Sequence, residues 1–328
     1  MLLNHAICLR PRAMSGRLVT PLDARRTTVS LRLPLRLAVA ALAVTALTPA
    51  TAVSADVVGF VDVVATVGTD GRLWVRDSTD PAWAPLGGDL RATPSVVPAP
   101  DDVWFVGLGG DGNVWIRDSD PRRGWQRLGP VGTRCEGPSA VVSVDVLAVA
   151  CRGGDGAVWA GRATVPADGS LPRIAAFRSL GGVVRHGAAV SDVSTGSTAQ
   201  FAYLAVGADG FPYTHTASGW KLFATVRCAG PVSTDEYFRR IACRAPDGSL
   251  HATRPGWSTG YHPLGGQLTG QPGVSVTGGQ TSAYYVLAPD GGLWRREREE
   301  PGPDQWRRFG GTGRYGVAAA SLEVTDGT

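Results

Sequence analysis

The sequence predicts an all-β protein, a β-propeller of six blades with four antiparallel strands each. Three observations predict it. An Asp-Gly turn followed by an apolar residue and an aromatic recurs as Asp70-Gly71-Arg72-Leu73-Trp74, Asp111-Gly112-Asn113-Val114-Trp115, Asp155-Gly156-Ala157-Val158-Trp159 and Asp290-Gly291-Gly292-Leu293-Trp294. Weaker copies stand at Asp209-Gly210 and Asp247-Gly248, and the steps from Asp to Asp are 41, 44, 54, 38 and 43 residues, near the 40 to 45 residues of a propeller blade. The composition, with 44 Gly and 23 Pro in 328 residues, suits short strands and tight turns. No stretch reads as a long amphipathic helix.

In chain order, residues 1–55 read as an export segment, disordered or helical, with roughly its first 20 residues an over-long start. Arg25, Arg26, Arg32 and Arg36 precede the apolar run Leu37 to Leu47, and Val53-Ser54-Ala55 offers a small-x-small cleavage pattern. The run of 11 residues is short for a bilayer, so no stable membrane span is expected after processing. The expected location is secreted or extracellular by the general export route, with Arg25-Arg26 leaving the twin-arginine route open. The segment carries seven Arg and one Asp, so the formal +4 of the chain hides a body of 25 basic and 27 acidic residues. Such a body lacks the electrostatic footprint of a nucleic-acid binder.

Residues 56–328 are expected to form one propeller domain. In one repeat, Pro94 to Val97 is a first strand and Val103 to Leu108 an apolar second strand. Gly110-Asp111-Gly112 is the hairpin turn, because Asp-Gly tolerates positive φ. Asn113 to Arg117 and Trp125 to Gly129 complete the blade. Leu-Gly-Gly marks the end of several fourth strands, as at Leu86-Gly87-Gly88 and Leu264-Gly265-Gly266. The Asp56 end supplies strands two to four of a blade, and Gly316 to Ala320 supplies a first strand without a blade. Pairing the two would close the ring and satisfy edge strands. Asp-Gly turns and Leu-Gly-Gly crossings share one face of the disc, while loops of variable length, such as 163–176, share the other, where binding usually resides.

Cys8 lies in the export segment, and the other four cysteines occur in two matching contexts, Cys135-Glu136-Gly137-Pro138 with Cys151-Arg152 and Cys228-Ala229-Gly230-Pro231 with Cys243-Arg244. Of the three pairings that four cysteines allow, the repeat selects Cys135–Cys151 and Cys228–Cys243, expected to face each other across neighbouring antiparallel strands. Loops of this length contribute about 3 kcal/mol each in the chain-entropy model. The spacings do not fit a metal site, and no metal or other cofactor is expected.

In the third strand, Trp74 and Arg76 point to one side, as do Trp115 with Arg117 and Trp294 with Arg296. Blade 3 offers Trp159 and Arg162. Two readings of these eight residues stay open. Either the pairs fill gaps between blades, or an exposed Trp stacks on a sugar ring while guanidinium donors hold its hydroxyls.

The unit Leu-Gly-Gly, Pro, apolar pair, hairpin, Asp-Gly-x-Leu-Trp-x-Arg, loop, Trp, Leu-Gly-Gly over residues 58–321 resembles the repeat of the bacterial PLL-type fucose-binding propeller lectins. It is similar, more loosely, to tectonin repeats. The resemblance implies a secreted protein with shallow glycan sites between adjacent blades for simple sugars such as fucose or methylated sugars, on a cell surface or polysaccharide. A protein- or peptide-binding propeller using the variable-loop face is the alternative. Catalysis is not expected. Glycoside hydrolysis needs two placed carboxylates, whereas residues 56–328 hold six Glu, three of them crowded at 297, 299 and 300 among arginines.

Overall fold

The computed structural model describes residues 58–100, 102–132, 134–216, 218–253, 261–277, 281–297 and 306–325. The export segment lies outside the described residues. Those described form six four-stranded antiparallel sheets. Blade 2 runs Ser95–Pro98, Val103–Leu108, Val114–Arg117 and Gln126–Arg127, strand by strand as the repeat predicts. Among the described residues no helix is long and apolar enough to cross a membrane.

Blade 1 is assembled from both ends of the described chain. Its first strand, Val317–Thr325, pairs with Val58–Val67 from Thr66↔Val317 to Val58↔Thr325. The predicted clasp is therefore present. Its seam with blade 6 also carries a buried polar knot. Asp62 is 3% exposed and accepts Ser275 Oγ at 2.5 Å, Tyr285 OH at 2.7 Å and Arg295 Nη2 at 3.3 Å. Burial, reinforced by the Asp62 charge, pushes the Tyr285 hydroxyl far above its ordinary value, so it stays a donor. While Arg295 keeps its contact with Glu297 at 2.9 Å, Asp62→Ala would remove the acceptor of the Ser275 and Tyr285 hydroxyls. It is expected to cost about 3–5 kcal/mol in urea unfolding.

The core consists of wedges between adjacent blades. The side chains of each second strand pack sideways onto the neighbouring sheet, as Trp104 and Val106 of blade 2 do with Leu147, Val149 and Cys151 of blade 3. The same happens around the whole ring, and the last wedge joins Tyr285 and Phe309 of blade 6 to Val64 and Val317 of blade 1. This is why the second strands read as continuous apolar runs: both of their faces are buried.

Five of the six wedges are sealed at the outer edge by an aromatic resting on a glycine. Trp125 of blade 2 covers Gly88, at the end of blade 1, so closely that a Cβ on Gly88 would lie 2.6 Å from Trp125 Nε1. Trp83 covers Gly311 likewise at 2.5 Å, Phe177 covers Gly129 at 2.8 Å, and Trp220 and Trp306 cover Gly182 and Gly266. Gly88 also sits at φ 93°, a region that other residues adopt only under strain. Gly88→Ala therefore meets both a strained backbone and an occupied space, and is expected to destabilise by about 2–4 kcal/mol in thermal or urea unfolding.

Both predicted disulfides are present, Cys135–Cys151 and Cys228–Cys243. Their placement differs from the expected face-to-face pair. Cys135 is aligned with Gly153, and the ladder breaks between Glu136 and Ser139, opposite Cys151. Cys228 precedes its strand altogether, since Val232 is the residue aligned with Cys243. Cys135–Cys151 thus bridges the first and second strands of its blade, as expected but not as a facing pair. Cys228–Cys243 instead ties the crossing from the preceding blade to a second strand. The corresponding positions in other blades hold contacts of different size. Leu90 packs where a Cβ on Gly107 would be, and Gly313 makes room for Thr66. Val184 and Ala205 stand there in blade 4, both buried.

The first strands line a narrow central channel with about 60 Å³ of free space, walled by small residues such as Ser139, Ala140, Val190, Val274 and Ala319. Glu236 sits on its wall at the variable-loop end. Burial pushes this carboxyl up to about 8, and the charges of Asp235 and Asp192 add to the shift. The folded protein then keeps a proton that the unfolded chain has already released. Stability is expected to fall as the pH rises from about 4.5 to about 8. Glu236→Gln should flatten that slope in melting temperatures taken across this range. An unchanged slope would assign it to other groups.

Candidate functional site

The Asp-Gly turn builds the site. In blade 3 the Asp155 carboxylate accepts the Ala157 backbone N–H at 3.0 Å and closes the turn. The Trp159 indole N–H, four residues on, donates to both Asp155 oxygens at 3.0 and 3.2 Å. The ring is thereby folded back onto the turn, where Gly153 leaves room: a Cβ there would lie 2.4 Å from Trp159 Cδ1. Hydrogen bonds from Ala157 and Trp159 hold the Asp155 carboxyl below its ordinary value. The arrangement repeats with Trp74 on Asp70 at 3.3 Å, Trp115 on Asp111 at 3.0 Å and Tyr213 on Asp209 at 2.8 Å, beside Gly68, Gly109 and Gly207.

Blades 5 and 6 break the pattern with Ala245 and Ala288 in place of that glycine. Among the described residues the ring-to-carboxylate bond occurs in blades 1 to 4 only. Trp294 instead packs against the wedge containing Leu250, Leu264 and Leu268. A methyl group where the ring would lie accounts for the difference. Replacing Gly153 by Ala should therefore displace Trp159 from Asp155 and lower its fluorescence anisotropy, whereas Gly154→Ala, with nothing closer than 3.7 Å, should not.

Two blades open a notch beside this ring. Between blades 2 and 3 a cavity of about 500 Å³ is lined by Pro130, Arg134, Gly154, Asp155, Trp159 and Phe177, with the Cys135–Cys151 bridge in its wall. Between blades 3 and 4 the corresponding cavity of about 320 Å³ is lined by Val183, Val184, Ala208, Asp209, Tyr213 and Trp220. Each notch combines a third-strand aromatic, a fourth-strand aromatic and an ionised turn carboxylate. Both lie on the face of the Asp-Gly turns, not on the face of variable loops.

The arginines singled out from sequence are placed elsewhere. Arg117 and Arg296 are buried, and their guanidinium groups donate to the carbonyls of Leu86 and Leu264 in the preceding blades. Arg76 donates to Phe309 O across the closing seam and lies over the Phe309 ring at 4.1 Å. Arg162 reaches the next blade, donating to Tyr203 OH at 3.3 Å and stacking over Phe201 at 4.8 Å. Blade 3 has Gly161 two residues after Trp159, in space filled by Ile174 and Phe177. The structure thus brings Trp159 into a notch and puts these four arginines into contacts between blades. Phe177, Tyr213 and Trp220 complete the notches and were not foreseen. For Phe177 and Trp220 the signal was an aromatic recurring in or just before the fourth strand of each repeat, and for Tyr213 it was its place after the Asp209-Gly210 turn.

Fold and notches together define the class: a closed six-bladed propeller with aromatic clefts between blades. No family model matches the chain, and no curated protein matches it. Among solved structures it is similar to TolB from Acinetobacter baumannii, with a TM-score of 0.56 and 10% identity over 79% of this chain and 66% of TolB. A stretch of TolB thus has no counterpart here. It is also similar to the SapL1 lectin, solved in complex with alpha methyl fucoside, with a TM-score of 0.50 and 12% identity over 76% of this chain and 95% of SapL1. At these identities the likeness is one of fold.

Proposed function

We propose that the protein is a secreted glycan-binding propeller that takes simple sugars, such as fucose or methylated sugars, in the notches between blades. The observation that carries this reading is the notch at Trp159. An indole is fixed by its own N–H to a carboxylate, one ring face opens on a cavity of about 500 Å³, and Arg134 supplies donors at its edge. Aromatic stacking surface with a few convergent polar groups suits a sugar. The fold-level likeness to a lectin that binds alpha methyl fucoside agrees with it, as does the PLL-type resemblance of the repeat. The two disulfides accord with an oxidising compartment. Binding is favoured over catalysis, since each notch is lined by a single carboxylate, already engaged in its turn. Hydrolysis of a glycoside needs two.

The test is a glycan array on oxidised protein, followed by titration calorimetry. Trp159→Ala is expected to weaken binding at its notch by about tenfold or more and to lower the number of sites. Silence across the array, or an unaltered titration, would overturn the reading. A second reading, docking of a protein on the variable-loop face, is favoured by Val144 and Phe238. Both are non-glycine residues at positive φ, 57° and 59°, in loops of that face, and strain of this kind gathers at functional surfaces. That reading expects loss of binding on changes in those loops and indifference to sugars.

A further inference from the structure

The inner rim of the Asp-Gly face carries a collar of arginines. Each blade has one backbone rung at this rim, where the start of its first strand meets the second strand three residues before the turn Asp. Arg91 N donates there to Leu108 O, Arg185 N to Val206 O and Arg314 N to Val67 O. In blade 5 Ala229 N donates to Arg244 O, and in blade 6 Thr269 N to Leu287 O. In blade 3 the rung aligns Glu136 with Arg152. Five of the six rungs therefore hold an arginine, and their one carboxylate, Glu136, is paired with Arg152.

The rungs crowd round the mouth of the central channel. The residues just after them touch from blade to blade: a Cβ on Gly137 would lie 3.2 Å from Gly187 Cα, and one on Gly316 2.6 Å from Thr93 Oγ1. The first strands then run on as the channel wall. Arg91, Arg185 and Arg314 are exposed, and among the described residues none of the three enters an ion pair. Arg152 and Arg244 are steadied by the carbonyls of Val184 and Ala229, at 2.9 and 2.8 Å. Half-buried His186 adjoins Arg185. Burial and then the charges of Arg185, Arg244 and Arg152 hold its imidazole below the ordinary value. Asp89 offsets Arg91 in part, since both reach the space beside Gly110. The turn carboxylates stand farther out, between second and third strands. Each accepts the N–H two residues on, as Asp209 does from Phe211 at 3.1 Å. The rim is thus positive within a body of 25 basic and 27 acidic residues.

We propose that the Asp-Gly face docks an acidic polysaccharide, a polyuronate chain laid across the arginine collar at the channel mouth. Planar guanidinium forks match planar carboxylates, and a ring of them favours a chain of charges over a single sugar, because several contacts act together. The notches open on this same face, which favours a saccharide over other anionic chains. The proposal rests on the glycan reading above and adds to it a charged polymer, which the notches by themselves do not require.

The experiment titrates polygalacturonate, its methyl ester, polyglutamate and fucose into the full oxidised protein, with calorimetry and the NMR signal of the His186 ring as readouts. Polygalacturonate is expected to bind about tenfold tighter than its uncharged ester, to move the His186 signal and to weaken as salt is raised. Arg91→Ala, Arg185→Ala and Arg314→Ala together keep the backbone rungs. They should remove that preference and leave fucose binding unchanged. The corresponding triple lysine variant should restore part of it. Equal binding of polygalacturonate and its ester, or a preference surviving in the triple alanine variant, overturns the proposal. Polyglutamate binding as tightly as polygalacturonate overturns the choice of a saccharide. If fucose does not bind while polygalacturonate keeps its preference in the parent and loses it in the triple alanine variant, the notch reading fails and the collar stands. If fucose binds and polygalacturonate shows no preference, the collar falls and the notches stand. If neither binds, both fall.

Discussion

A chain that stops at Gly316 is expected to lose its cooperative unfolding transition, and a synthetic peptide of residues 317–325 to restore it. The removed strand supplies the whole inner edge of blade 1, aligned with Val58–Val67 along its full length. It also brings Val317 and Leu322, both almost completely buried, into two different wedges. Losing these side chains and exposing the edge of Val58–Val67 should remove on the order of 5–10 kcal/mol, comparable with the whole stability of many domains. Circular dichroism against temperature measures it. A truncated protein with an unchanged midpoint would mean that the ring is held without its clasp.

The second large effect concerns the cystines. Cys135→Ser with Cys151→Ser is expected to lower stability by about 3 kcal/mol, and the same change at Cys228 and Cys243 by a similar amount. Intact mass should rise by about four hydrogens on full reduction, which counts the two bridges. Because the cystine occupies a contact that blade 4 fills with Val184 and Ala205, Cys135→Val with Cys151→Ala should be more stable than the double serine variant. It restores apolar packing without the cross-link. Urea midpoints of the three proteins decide the order. If the serine pair equals the parent, the crossing is held by its backbone alone.

Much of this architecture was legible before any coordinates. The spacing of the Asp-Gly turns specified six blades, and the orphan strand near Gly316 specified how the ring closes. Matching sequence contexts specified which cysteines pair. What escaped was the direction of contacts between sheets. Periodicity says that Trp115 and Arg117 share a side of their strand, but not that Arg117 reaches back to Leu86 O in another blade. The hairpin pattern places Cys135 and Cys151 on paired strands, where they are, but it does not show that Cys228 stands on the crossing before Val232. Which residue faces which depends on where the ladder breaks, as it does after Glu136, and this puts Gly153 rather than Cys151 opposite Cys135. The candidate site was half visible. Asp-Gly with Trp gave the turn and its ring, whereas the glycine two residues before the turn Asp was present in blades 1 to 4 and its meaning passed unnoticed. That glycine decides whether the ring lies on the turn, and only packing shows it.

The rings that cap Gly88, Gly129, Gly182, Gly266 and Gly311 all lean the same way, each from one sheet onto the sheet before it in the ring. At five of its six joints the protein behaves like a cyclic oligomer with head-to-tail interfaces, one unit offering the knob and the unit before it the socket. The joint of blades 4 and 5 instead packs Tyr261 with Phe223 and Ala224. An inserted copy of a unit that has both the ring and the glycine would arrive with both halves of that joint already matched. The joint therefore sets the order of the units but not their number, which falls to the angle at which the circle meets itself. A lineage built on such joints can gain or lose a unit by duplication or deletion without inventing a new interface.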